Sequence, residues 1–272
     1  MLIMLKKQNE CNCLEMTKQY VEKYMNNKSC RYFKSLFPLN YPVIQSERPD
    51  FIVNTETSSY AVEHFLIDFC YDGPQNNQSQ SRRAQRSIQD IYTKYHDPSI
   101  GTIKDCDIEE ALHDIENEVN KIVNLSQSFN YEKFIDRFNK VFQDHYKRLP
   151  NYRANSEIMQ ENVNTGFLID FHRDTLSINA LLNGVVVSFM GGTKEFPITH
   201  DILHIFEDAK ELDFIILSQF NEGAATEASS VSIFEPNNMK KSIEIQNIKV
   251  YDKVFFTKLK KELKLNIEDG KT

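Results

Sequence analysis

Long apolar runs are missing from this chain. Nowhere do its 272 residues gather the ~18–20 consecutive apolar side chains of a membrane-spanning helix. The opening MLIMLKK is apolar and then basic, the reverse order of a secretion signal, and its apolar run is too short for one. A soluble, cytoplasmic protein with no membrane partner is therefore expected. Cysteine is sparse and unpaired in pattern. Cys11, Cys13, Cys30, Cys70 and Cys106 are odd in number, contain no CxxC pair, and leave Cys11 and Cys13 without a second cluster to complete a zinc site. Reduced thiols are the expectation. Net positive charge is also lacking. The formal charge is −7, so the chain does not hold nucleic acid indiscriminately.

What is present suffices for a core. Hydrophobic residues make up 40% of the chain and include 19 Phe and 12 Tyr, which argues against global disorder. The charge is uneven. Residues 105–118 carry seven acids and no Lys or Arg, while 82–94 carry Arg82, Arg83, Arg86 and Lys94 against Asp90. Residues 239–264 carry eight Lys against three acids. Local basic surfaces on an acidic body, or solvated helix faces, both follow from such blocks.

Periodicity predicts a helix over 11–26, a loop with a short strand over 30–45, and strands at 51–53 and 60–69 separated by the turn-prone NTETSS. The polar tract QNNQSQS reads as a loop, followed by a helix over about 81–95. Two amphipathic helices come next. Ile108, Ala111, Leu112, Ile115, Val119 and Ile122 mark one face, with Asp107 and Glu110 at its start as a capping box. Phe134, Ile135, Phe138, Val141, Phe142 and Leu149 mark the other, and Pro150 is read as its end. GFLIDF, GVVVSF, DFIILSQF and SVSIF are strand-like, with a helix over about 199–210 among them and a basic helix over about 252–265 at the end. There is no internal repeat. The order implies a single α/β domain over 1–272 with a helical insertion near 75–160.

The strand YAVEHFLIDF carries the functional signal. Alternation places Ala61, Glu63, Phe65, Ile67 and Phe69 on one face and Tyr60, Val62, His64, Leu66 and Asp68 on the other. Both faces are mostly apolar, so the strand is covered on both sides and Glu63 is buried in its middle. A buried carboxylate costs several kcal/mol unless it is paired, protonated or bound to a metal. Asp50 opens the preceding short strand and can converge with Glu63 at one end of a hairpin. Two carboxylates and a few waters make a hard-oxygen site for Mg²⁺ or Mn²⁺. The alternative is an Asp50 that caps a turn and a Glu63 that meets an Arg such as Arg48.

Residues 47–65, ERPDFIVNTETSSYAVEHF, resemble the active-site hairpin of the PD-(D/E)XK nuclease superfamily: Pro49-Asp50, a spacer, then an acid at Glu63. The resemblance covers about 60 residues. It implies a mixed central sheet flanked by helices, a restriction-endonuclease-like core. It also implies a preceding helix packed on the sheet that supplies an acid, for which Glu22 or Glu15 is the candidate. By the same resemblance, Asp50, Glu63 and the main-chain carbonyl of His64 hold a divalent metal for phosphodiester hydrolysis of nucleic acid. One position departs. The acid-x-Lys tripeptide is Glu63-His64-Phe65, so Phe65 replaces the Lys that positions the attacking water. Arg82, Arg83, Arg86 and Lys94 are the candidates to supply a basic group from another element and to hold the nucleic acid backbone. The alternative is a catalytically inactive nuclease-like fold that binds nucleic acid or a protein.

Other motifs are weaker. His200-Asp201-Ile202-Leu203-His204 is similar to the zincin HExxH helix, with Asp in place of Glu and only Asp208 following one turn on. Gly191-Gly192-Thr193-Lys194 lacks the full phosphate-loop spacing. The aromatics of 129–152 suit base stacking but at helical spacing read as core. Cys70 and Ser218 have no evident partner base.

Overall fold

The computed structural model of the protein describes residues 2–68, 90–91, 93–97, 102–103, 107–126, 131–173, 178–189, 197–221 and 228–256. Helix α1 spans Leu2–Lys23 and α2 spans Asn27–Leu36. Strands β1 (Val43–Gln45), β2 (Phe51–Asn54) and β3 (Ser59–Asp68) follow as an antiparallel meander. A small ribbon, β4 (His96–Asp97) and β5 (Thr102–Ile103), precedes α3 (Ile108–Ser126), α4 (Tyr131–Tyr146) and the short α5 (Leu149–Arg153). Next come β6 (Val163–Arg173), β7 (Ile178–Leu182), β8 (Val185–Phe189), β9 (Ile198–Thr199) and α6 (His200–Glu207). The described chain closes with β10 (Phe214–Asn221), β11 (Ala228–Phe234), α7 (Met239–Gln246), β12 (Val250–Tyr251) and β13 (Lys253–Phe256).

The central sheet has the order β1-β2-β3-β6-β10-β11 and is mixed. β3, β6 and β10 run parallel, while β1, β2 and β11 run antiparallel to their neighbours. Helices cover both faces, so the alternation read from YAVEHFLIDF becomes two cores. On one face Phe65, Ile67, Phe167 and Ile169 pack against Phe134, Phe138 and Phe142 of α4, Tyr152 of α5 and Phe206 of α6. On the other, Val62, Leu168, Phe214 and Ile216 pack against Cys13, Leu14 and Val21 of α1 and Tyr32 and Phe33 of α2. Thus α4 and α5, inside the 75–160 stretch, lie directly on the sheet.

Among the elements that differ from expectation, which include α7 and the β4–β5 ribbon, three bear on how the sheet is covered. The stretch read as loop from residue 30 begins inside α2. Asn26 caps that helix, its side chain accepting from the N–H groups of Lys28 and Ser29, and Tyr32 and Phe33 are buried against the sheet. Pro150 does not end α4 but sits in the first turn of α5, where its missing N–H costs no hydrogen bond. The basic helix expected from 252 is instead extended over Lys253–Phe256 and pairs with β7. Residues beyond 256 lie outside the described residues.

Close packing makes one position sensitive. Gly166 pairs with Val62 in β3 and Phe214 in β10, and a Cβ there would land within the Phe214 ring. Gly166→Ala is expected to cost about 1–3 kcal/mol, the usual penalty for overpacking, readable as a lower urea midpoint at unchanged slope.

Candidate functional site

The site is built where β2 enters the sheet. Phe51 lies opposite Val62, so one step further Asp50 lies opposite Glu63. Phe51 belongs to the α1 side, and alternation turns Asp50 to the α4 side, the face that Glu63 shares with Phe65. The His64 N–H donates to Asp50 Oδ2 at 2.8 Å, which fixes that carboxylate against the edge of β3. A strand residue projects its N–H and C=O from the same edge, so the His64 carbonyl faces the same way.

Glu63 is 6% exposed. Its Oε1 lies 3.1 Å from Nδ1 of His145, which comes from the last turn of α4. Its Oε2 is buried with no hydrogen-bond partner among the described residues. Such an atom forfeits its hydration with nothing in return, about 1–3 kcal/mol or more for a charged group. The His145 ring stacks on Phe65, with centroids 4.2 Å apart and planes 9° from parallel. Tyr152 of α5 completes the wall, its hydroxyl 3.5 Å from the same Nδ1. Its phenol is pushed up, first by burial and then by the charge of Glu63, with Arg148 opposing and Asp50 adding. It is therefore a neutral donor that feels both carboxylates and one cation. Glu63, His145 and Tyr152 thus meet, and the charges of Asp50 and Arg148 are felt at Tyr152.

The other residues read from sequence fare differently. Glu22 and Glu15 are exposed on α1, which packs on the opposite face of the sheet, so neither joins Asp50 and Glu63. Arg48 is exposed, and the partner of Glu63 is His145. Arg82, Arg83 and Arg86 lie outside the described residues. Lys94 is turned to the acidic face of α3, its Nζ 3.9 Å from Glu110 and 3.7 Å from Asp114. Lys240 and Lys241 of the C-terminal basic block face Glu244 and Glu235. His200 and His204 are both exposed, His204 beside Glu207 and Asp201 accepting from the Tyr131 hydroxyl. Among the described residues, the trio of metal-ligating groups within mutual reach is Cys13, His64 and Asp170, to which neither of those histidines belongs.

Comparison with protein-family models, curated proteins and solved structures gives no match. The case therefore rests on the geometry of this chain alone.

Sequence reasoning missed His145 and Tyr152. One signal for His145 was present: it lies three residues after Phe142, on the buried stripe of α4, and a titratable group on an apolar stripe needs a partner. Tyr152 gave no local signal.

Proposed function

We propose that this chain is a divalent-metal-dependent nuclease of the restriction-endonuclease-like kind, hydrolysing phosphodiester bonds of nucleic acid at Asp50 and Glu63. The observation that carries the reading is Glu63 Oε2, a buried carboxylate oxygen without a hydrogen-bond partner among the described residues, on the strand position opposite a second buried carboxylate. The donors fit a hard cation: two carboxylates and the His64 carbonyl. When bound, Mg²⁺ or Mn²⁺ would acidify a water and stabilise charge developing on the phosphate.

The chain's own groups divide the remaining work. The His64 N–H orients Asp50 in advance. His145 holds one oxygen of Glu63 and leaves the other for the cation. Fixed by its stack on Phe65 and with its Nδ1–H donated to Glu63, His145 is the basic group that takes the part of the motif's lysine, its Nε2 accepting a proton from the attacking water. The Tyr152 hydroxyl lies 3.5 Å from His145 Nδ1 on the same side of the pocket, and Arg148, whose charge is felt at Tyr152, offers a cation to a phosphate.

One observation favours a second reading, an inactive nuclease-like module that binds nucleic acid or a protein. Phe65 fills the lysine position with a ring buried in the core. Calorimetric titration of Mn²⁺ separates the two. The parent protein is expected to bind one ion, and the Asp50→Asn/Glu63→Gln double variant, checked for folding by circular dichroism, none. Absence of heat in the parent, both alone and with a DNA or RNA oligonucleotide present, would sink the metal site and leave the binding module.

A further inference from the structure

On the opposite face of β3 a second constellation stands apart from Asp50 and Glu63. Cys13 comes from α1, His64 from β3 and Asp170 from β6, and one ligand atom of each lies within 4.8 Å of the other two. His64 Nε2 is 3.9 Å from Asp170 Oδ2. Cys13 is 2% exposed and Asp170 8%, and they sit in the layer formed by Leu14, Val62, Leu168 and Ile216. A carboxylate carried into such a layer costs several kcal/mol unless its charge is balanced.

We propose that Cys13, His64 and Asp170 bind one zinc ion, which ties α1 to β3 and β6. A thiolate, an imidazole and a carboxylate form a borderline-soft donor set, which suits Zn²⁺ and not the hard Mg²⁺. Metal–ligand bonds of about 2.0–2.3 Å in a tetrahedron set the ligand atoms roughly 3.3–3.8 Å apart. The 3.9 Å between His64 and Asp170 is within a small side-chain rotation of that. Two hydroxyls are neighbours of this trio. Ser218 pairs with Asp170 across the strands, and its Oγ lies 2.8 Å from that of Thr17, one turn along α1 from Cys13. Four-coordinate zinc would take a water beside these hydroxyls as its fourth ligand.

The same three residue types can form a nucleophilic triad, but this thiol is placed against it. It is buried between α1 and the sheet, where no substrate reaches it. The site is a clasp between a helix and the sheet.

The test uses the full chain purified from cells grown with zinc or with cobalt. Elemental analysis is expected to find one ion per chain, and the cobalt form to show thiolate-to-metal charge-transfer absorption. Cys13→Ser, nearly isosteric, should abolish that band. Asp170→Asn should weaken binding by more than about 100-fold, the upper end of what even outer-sphere partners cost. The Asp50→Asn/Glu63→Gln variant should keep both ion and band, which separates this site from the other carboxylates. A wild-type protein free of metal overturns the proposal without any variant, and so does a thiolate band that survives Cys13→Ser.

Discussion

Restoring the lysine of the acid-x-Lys tripeptide, by Phe65→Lys, is expected to destabilise the protein and not to activate it. The Phe65 ring is 6% exposed. It stacks on His145 and meets Phe167 and Phe142 edge to face at 5.2 and 6.4 Å. Losing such a ring costs about 3–5 kcal/mol. The lysine stem refills part of the space, but its ammonium must then be buried among Phe142 and Phe167 or forced between Glu63 and His145, at several kcal/mol more. Set against a total stability of about 5–15 kcal/mol, the sum is severe. At roughly 2–4 °C per kcal/mol for a chain of this size, the melting temperature should fall by more than about 10 °C. Adding His145→Ala opens room for the ammonium beside Glu63 and is expected to recover part of the loss. A Phe65→Lys protein that melts like the parent and hydrolyses nucleic acid faster would show that the pocket accepts the motif's lysine at position 65 and that the stack on His145 is incidental.

That prediction depends on a contact no sequence pattern reveals, and the limit is physical. The hairpin was legible because it is local. Alternation over ten residues decides which face Glu63 shares, and the Phe51–Val62 register follows from a short turn. That both faces of this strand are covered followed from the same apolar pattern, whereas the mixed sheet flanked by helices was implied only by the hairpin's resemblance. His145 was not legible because it meets Glu63 across 82 residues of sequence, by way of the crossover that returns the chain parallel to β3. Cys13 likewise meets Asp170 only because α1 packs on this face of the sheet. Where local readings failed, a short-range feature was outweighed by another. The aromatics of 30–37 suggested loop, yet the Asn26 cap and the burial of Tyr32 and Phe33 make a helix. The lysines after residue 252 suggested a helix face, yet Lys253 and Val254 alternate, exposed and buried, as a strand requires.

Glu63→Gln is expected to leave stability unchanged or raised while removing metal binding and hydrolysis together. The reasoning begins from cost. Glu63 holds a charge in a buried position with one oxygen unsatisfied, and neutralising it relieves desolvation. A glutamine keeps nearly the same shape, and its carbonyl can still accept from His145. If the Glu63–His145 contact were instead a purely structural ion pair, breaking it would cost about 3–5 kcal/mol and the variant would melt well below the parent. A metal ligand predicts the opposite signature: stability held within about 1 kcal/mol and Mn²⁺ affinity lowered by more than about 100-fold, beyond the loss caused by removing an outer partner. Assayed with Mn²⁺ on duplex DNA, single-stranded DNA and RNA, its hydrolysis should fall to background. His145→Ala provides the complementary arm. It should keep the ion yet slow hydrolysis by about 10²–10⁴-fold, the usual contribution of a general base. Loss of stability in Glu63→Gln with Mn²⁺ binding intact would assign Glu63 to the fold and move the chain's function to the binding reading.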